Sequence, residues 1–216
     1  AIPNGKVGNT TYYKEDLEAI DGNDGVPWTS EKNYIQTVVF KNRVAPWTTS
    51  GWFWQCYNLE SIQGLNLLDD SNLLRMGSTF KECKKLTELD LSSLTGAKLV
   101  NAYDIFSGCA NLKTIYVSDR FSVDKVTTPG TPFSGCTSLV GGAGTKCSEG
   151  GTGIKYAHID GGPSNPGYFT NIADKPAGAF ASAAFASKFH AAVDTASIAN
   201  MASDMGAESA VNAASS

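Results

Sequence analysis

Histidine is nearly absent from this chain. His158 and His190 are the only two, and neither stands in a metal-binding or nucleophile-activating motif. His158, between Ala157 and Ile159, has a satisfied structural role as its default. No Cys-x-x-Cys pair occurs, so the five cysteines do not match a zinc site. No Lys/Arg cluster occurs either, and a net charge of −4 leaves no electrostatic footprint for nucleic acid. No run approaches the 18 or so apolar residues that span a bilayer, which predicts no membrane span.

Motifs for catalysis are equally scarce. GGAGTK (residues 141–146) is no phosphate loop, because its first Gly is misplaced and Cys147 follows Lys146. The adjacent pair Asp69-Asp70 reads as solvated turn residues, since a glycosidase dyad needs two acids held across a cleft. DGNDG (residues 21–25) lacks the ligand spacing and closing Glu of an EF-hand and reads as a turn. These absences predict a protein that is not an enzyme and holds no metal.

What is present is a repeated phrase. FWQCYNL, FKECKKL, FSGCANL and FSGCTSL begin at Phe53, Phe80, Phe106 and Phe133, at offsets of 27, 26 and 27 residues. Each sets Phe, two residues, Cys, two residues, Leu: Phe53-Cys56-Leu59, Phe80-Cys83-Leu86, Phe106-Cys109-Leu112 and Phe133-Cys136-Leu139. A tail of spaced apolar residues follows the first three: Ile62 and Leu65, Leu89 and Leu91, Ile115 and Val117. That alternation reads as a short strand. Fixed periods of this length with spaced leucines predict a leucine-rich repeat.

One such unit buries too little apolar surface to stand alone, so each must pack on the next. The expected fold is therefore an α/β repeat, a short solenoid whose strands form one parallel sheet with Leu86, Leu89 and Leu91 pointing inward. The cysteines fall at one position of the coil and read as an internal thiol ladder. Disulfides between rungs remain open, because neighbouring strands lie roughly 4.8 Å apart, within bridging range. Cys147, outside the phrase, reads as a loop thiol. Ile35, Val38 and Phe40 form a degenerate first copy with Lys32 at the Cys position and no preceding Phe, which suits a capping rung. Trp47, Trp52 and Trp54 either cover that end of the core or form an exposed aromatic patch. Lys81, Glu82, Lys84, Lys85 and Glu88 are expected on the surface.

The runs VPWTSEKNYIQTVVFKNRVAP, WFWQCYNLESIQGL, FKECKKLTELDLSSL, FSGCANLKTIYVSDRFSVDKV, FSGCTSLVGGAGTK and YAHIDGGPSNPGYFT closely resemble the BspA-like leucine-rich-repeat domains of bacterial surface proteins. The resemblance covers about Val26 to Thr170. It implies a non-catalytic repeat domain displayed at the bacterial cell surface, used for adhesion or recognition of a protein partner, with no cofactor. It also marks residues 141–167 as a closing segment in which Tyr156, Ile159, Tyr168 and Phe169 cover the last rung. The inter-repeat text LLDDSNLLRMGST and TGAKLVNAYDI departs from the family's more uniform pattern.

The expected organisation is an N-terminal arm over 1–25, the solenoid over 26–170 and an Ala-rich segment over 171–216. Residues 177–216 hold 15 Ala and four formal charges. Phe185, Phe189 and Val193 fall near helical spacing, with Ile198, Met201 and Met205 on a second stripe. This predicts an oligomerisation or docking helix, against a helix on its own solenoid or a flexible tail. The start AIPNGKVG fits either leader cleavage or loss of an initiator Met. Under the second, display on a virion, as a phage decoration or fibre subunit, replaces display on a cell. An odd count of cysteines leans toward intracellular synthesis.

Overall fold

The computed structural model describes residues 26–176. The N-terminal arm with its DGNDG turn, and the candidate assembly residues Phe185, Phe189, Val193, Ile198, Met201 and Met205 with His190, lie outside the described residues. Five short strands are present: β1 (Thr37–Val39), β2 (Ser61–Gln63), β3 (Glu88–Asp90), β4 (Thr114–Val117) and β5 (Thr170–Asn171). Helical segments among the described residues are three-residue 3-10 turns, so the architecture is a mixed one of small parallel sheets and short helical turns. None of these segments is long and apolar enough to cross a membrane.

The strands form two parallel sheets, β1-β2 and β3-β4-β5, where one continuous sheet was expected. Val38 pairs with Ile62, and Leu89 with Ile115. The break falls where the repeat text changes spacing. In the copy that starts at Phe53, Leu65 follows Ile62 by three residues, and the left-handed Gly64 (φ 69°) turns the chain into the 3-10 turn Leu65–Leu67. In the fourth copy no strand follows Leu139. Val140 donates its N–H to Lys113 and bridges Lys146 antiparallel, and β5 takes the place beside β4. Gly141 passes so close to the carbonyl of Gly167 that a Cβ there would collide with it.

Successive passes of the chain lie on one another in register. Isolated parallel bridges join Thr48 to Arg75, Arg75 to Asn101 and Asn101 to Thr128, a second line of contact between passes. On a third line each phrase Phe gives its backbone N–H to the chain that follows: Phe53 to Thr79, Phe80 to Ile105, Phe106 to Pro132 and Phe133 to Thr152, at 2.9 to 3.3 Å. Two columns of left-handed backbone flank that line. One holds Gly51, Ser78, Asp104 and Gly130; the other holds Gln55, Glu82, Gly108 and Gly135, two residues after each Phe.

Inside, the four phrase Phe rings stack at 5.8 to 5.9 Å with interplanar angles of 7° to 27°. Trp28 continues the column, stacked on Phe53 at 6.1 Å. The capping copy therefore does have its aromatic, a Trp, because only a large ring fills the space above Phe53. Tyr168 closes the other end, edge-on to Phe133 at 5.0 Å and stacked on Tyr156 at 4.7 Å. Leu59, Leu86, Leu112 and Leu139 are fully buried, as are Leu89, Leu91, Ile115 and Val117. Trp52 is buried beside Trp28, whereas Trp47 and Trp54 are half-buried.

Candidate recognition surface

The cysteines are free and buried. Cys83 Sγ donates to the carbonyl of Phe53 at 3.1 Å, Cys109 to Phe80 at 2.9 Å and Cys136 to Phe106 at 3.1 Å. Cys147 is no loop thiol. It starts the 3-10 turn Cys147–Glu149 and donates to the carbonyl of Phe133 at 3.5 Å. It thus supplies the rung that a fifth phrase would have supplied, from only 14 residues away. Burial pushes the Cys56 and Cys109 thiols up to about 12 and raises those of Cys83, Cys136 and Cys147. Such thiols stay protonated, which makes them donors for packing and poor nucleophiles.

Carboxylates that read as turn residues tie one pass to the next. Asp70 is not merely solvated: its Oδ2 accepts from the Thr95 N–H, the Thr95 hydroxyl and the Gly96 N–H at 2.6 to 2.9 Å. Its neighbour Asp69 accepts from Ser71 N–H and from Arg43, contacts that hold its carboxyl down to about 2. Asp104 accepts from Thr131 N–H at 2.8 Å and from Lys81 Nζ at 2.9 Å. Burial alone would raise its pKa; these bonds outweigh burial and lower it. Lys81 and Glu82 are accordingly half-buried, while Lys84, Lys85 and Glu88 are exposed as expected.

Two residues that sequence reasoning passed over organise the closing segment. Asp160 accepts from the N–H groups of Ala143, Thr145, Gly162 and Gly167 and from the Thr145 hydroxyl. Burial opposes the charge, but the Thr145 and glycine donors win and the pKa falls. Lys175, whose side chain is 6% exposed, pairs with Glu88 at 2.9 Å and Asp90 at 3.1 Å and lies 4.7 Å over the Tyr116 ring. It covers the outer face of β3 and β4. For Asp70 and Asp104 the available signal was the offset of one repeat period to Gly96 and to Thr131. Nothing local marks Lys175, 85 residues from Asp90.

His158 Nδ1 donates to the carbonyl of Ile159 at 2.8 Å, in a structural setting. An open cleft of about 400 Å³ lies beside the Asp160 knot, lined by Gly144, Lys146, Glu149, Tyr156 and Pro163 among others. Its charged groups, Lys146 and Glu149, pair with each other at 2.8 Å. Among the described residues no group of three His, Cys, Asp or Glu could hold a metal ion. Among the described residues the exposed large apolar ones are Tyr34, Val39, Leu74, Val100 and Tyr103. No family model, no curated protein and no solved structure matches this chain.

Proposed function

We propose that residues 26–170 form a short leucine-rich-repeat solenoid of the BspA-like kind, a non-enzymatic module for recognition or adhesion displayed at the bacterial cell surface. The observation that carries this reading is the stacking of the Phe-Cys-Leu phrases. Each pass spends its apolar, thiol and buried carboxylate groups on the next pass, which leaves the outward positions of the coil as the variable chemistry. Asp104 and Asp160, the buried carboxylates, are saturated with donors that favour the charged form, so neither is poised as a general base. A protein partner suits an extended outer surface of this sort.

The full chain is expected to bind saturably to a member of a panel of immobilised extracellular-matrix and cell-surface proteins, without turning it over. Absence of saturable binding across the panel, or turnover of a bound partner, would sink the reading.

A second reading is favoured by the reduced thiol ladder, which suits assembly in a reducing compartment. In it the same solenoid is a decoration or fibre subunit of a bacteriophage virion, a homo-oligomer or part of a larger particle held through its Ala-rich segment. Light scattering separates the two. A full chain that oligomerises while a chain ending at Pro176 stays monomeric supports the particle subunit; two monomers support the cell-surface module.

A further inference from the structure

We propose that the coil side bearing Trp47, Leu74 and Val100 is the recognition surface, and that its occupant is an extended acidic peptide segment carrying apolar side chains. The inference deepens the recognition reading above and rests on it.

The register places these residues in one column. Leu74 N–H donates to Trp47, Val100 to Leu74 and Thr127 to Val100, each at 2.9 Å. Their inward neighbours Leu73 and Leu99 are buried. Alternation then sends the next residue to solvent, where a polar side chain is the usual choice. Instead Leu74 is 38% and Val100 37% exposed, with Tyr103, 48% exposed, lying against Gly130. An apolar column held outward across three passes marks an interaction site.

Charge selects the occupant. Exposed Lys98, Arg75 and Lys125 border the column, and Arg75 lies 5.4 Å over the Trp47 ring. The nearby carboxylates Asp69 and Asp70 are taken by Arg43 and Ser71, and by Thr95 and Gly96. Asp70 keeps its charge under those neutral donors and exposed Asp124 adds a second, against the three cations Arg75, Lys98 and Lys125. The border is therefore net positive, and it attracts carboxylates while the column accepts apolar groups. Passes about 4.8 Å apart give a column of roughly 14 Å from Trp47 to Thr127, the reach of about four to five extended residues. The outer face of β3 and β4 is not available in the same way, because Lys175 lies on it.

The test is fluorescence anisotropy of the full chain with a labelled decapeptide of alternating Glu and Leu, beside Lys-Leu and Glu-Ser controls. Tighter binding of the Glu-Leu peptide is expected, weakened by salt. Leu74→Ser with Val100→Ser, and separately Lys98→Glu with Lys125→Glu, should each weaken it at least tenfold with unchanged thermal melts. Equal binding of the three peptides, or variants that bind as well as the parent, would overturn the proposal. So would a change in solution mass caused by Leu74→Ser without loss of peptide binding, which would assign the column to a second copy. If a partner from the panel above still binds the Leu74→Ser, Val100→Ser chain undiminished, the face is wrong and the recognition reading stands. If no partner binds the parent, the recognition reading fails first.

Discussion

Cys109 Sγ lies 2.9 Å from the backbone oxygen of Phe80, one repeat earlier in the chain. The contact joins two positions of the same phrase, and Cys83 and Cys136 repeat it. Native protein should therefore show almost no thiol reaction with an aromatic disulfide reagent at pH 8, and all five thiols should react once guanidinium is added. Reducing agent should leave the melting temperature unchanged. Rapid labelling of Cys109 in the native state, or unfolding by reducing agent alone, contradicts the ladder. Cys109→Ser puts a more polar group in a dry site and should cost about 1 to 3 kcal/mol.

Leu89→Ala and Ile115→Ala remove fully buried strand residues that pair across β3 and β4. Each should cost about 2 to 5 kcal/mol in urea unfolding. Ile62→Ala, at a half-buried position of the separate β1-β2 sheet, should cost clearly less. Equal losses at the three sites would contradict the difference in packing.

The left-handed column after each Phe holds Gln55 and Glu82 in two copies and Gly108 and Gly135 in the others. A non-Gly residue there carries roughly 1 to 2 kcal/mol of strain, against about 0.5 to 1 kcal/mol of extra chain entropy for Gly. Gln55→Gly should thus stabilise the fold by up to about 1 kcal/mol. Gly108→Ala should destabilise it, since φ is 79° and the new Cβ would stand 2.9 Å from Glu82 Cγ. Matching signs for the two variants in thermal melts would refute the account.

Stability should fall at both ends of the pH scale. The carboxyls of Asp69, Asp90, Asp104 and Asp160 are held below their ordinary values. Their contribution is complete above the unfolded value of about 4 and is lost as pH falls through the folded ones. The thiols are raised, with Cys56 and Cys109 at about 12. Their contribution is complete below about 8.5 and is lost as pH rises toward 12. Melting temperature against pH should form a plateau between these limits. Asp160→Asn should lower stability on the plateau by about 1.5 to 3 kcal/mol, as expected for bonds to a charged group, and flatten the acid limb. An unchanged acid limb in that variant would remove Asp160 from its role.

Lys175 reaches back to Glu88, Asp90 and Tyr116. Lys175→Met keeps most of the stem but leaves the acids without their cation, and it should lower the melting temperature by several degrees, as a change of about 1 to 3 kcal/mol does in a chain of this size. No shift in the melt would show the clasp to be incidental.

By itself the sequence determined the period of the repeat and the burial of Phe80, Cys83 and Leu86 with their counterparts, and of Leu89 and Ile115, whereas Ile62 at the same position is half-buried. Those residues act through one phrase repeated at fixed offset, and local alternation reveals which side they occupy. Tertiary structure alone decided the members that break the phrase. Trp28 completes the Phe column and Cys147 the thiol ladder although neither keeps the spacing, because space and a free carbonyl select them and not sequence distance. The same holds for Asp160 and Lys175, which bond to groups that only folding brings near. Stacking is a local rule copied along the chain. Its closure at either end depends on whichever large ring, thiol or charge the chain can bring to the last exposed rung.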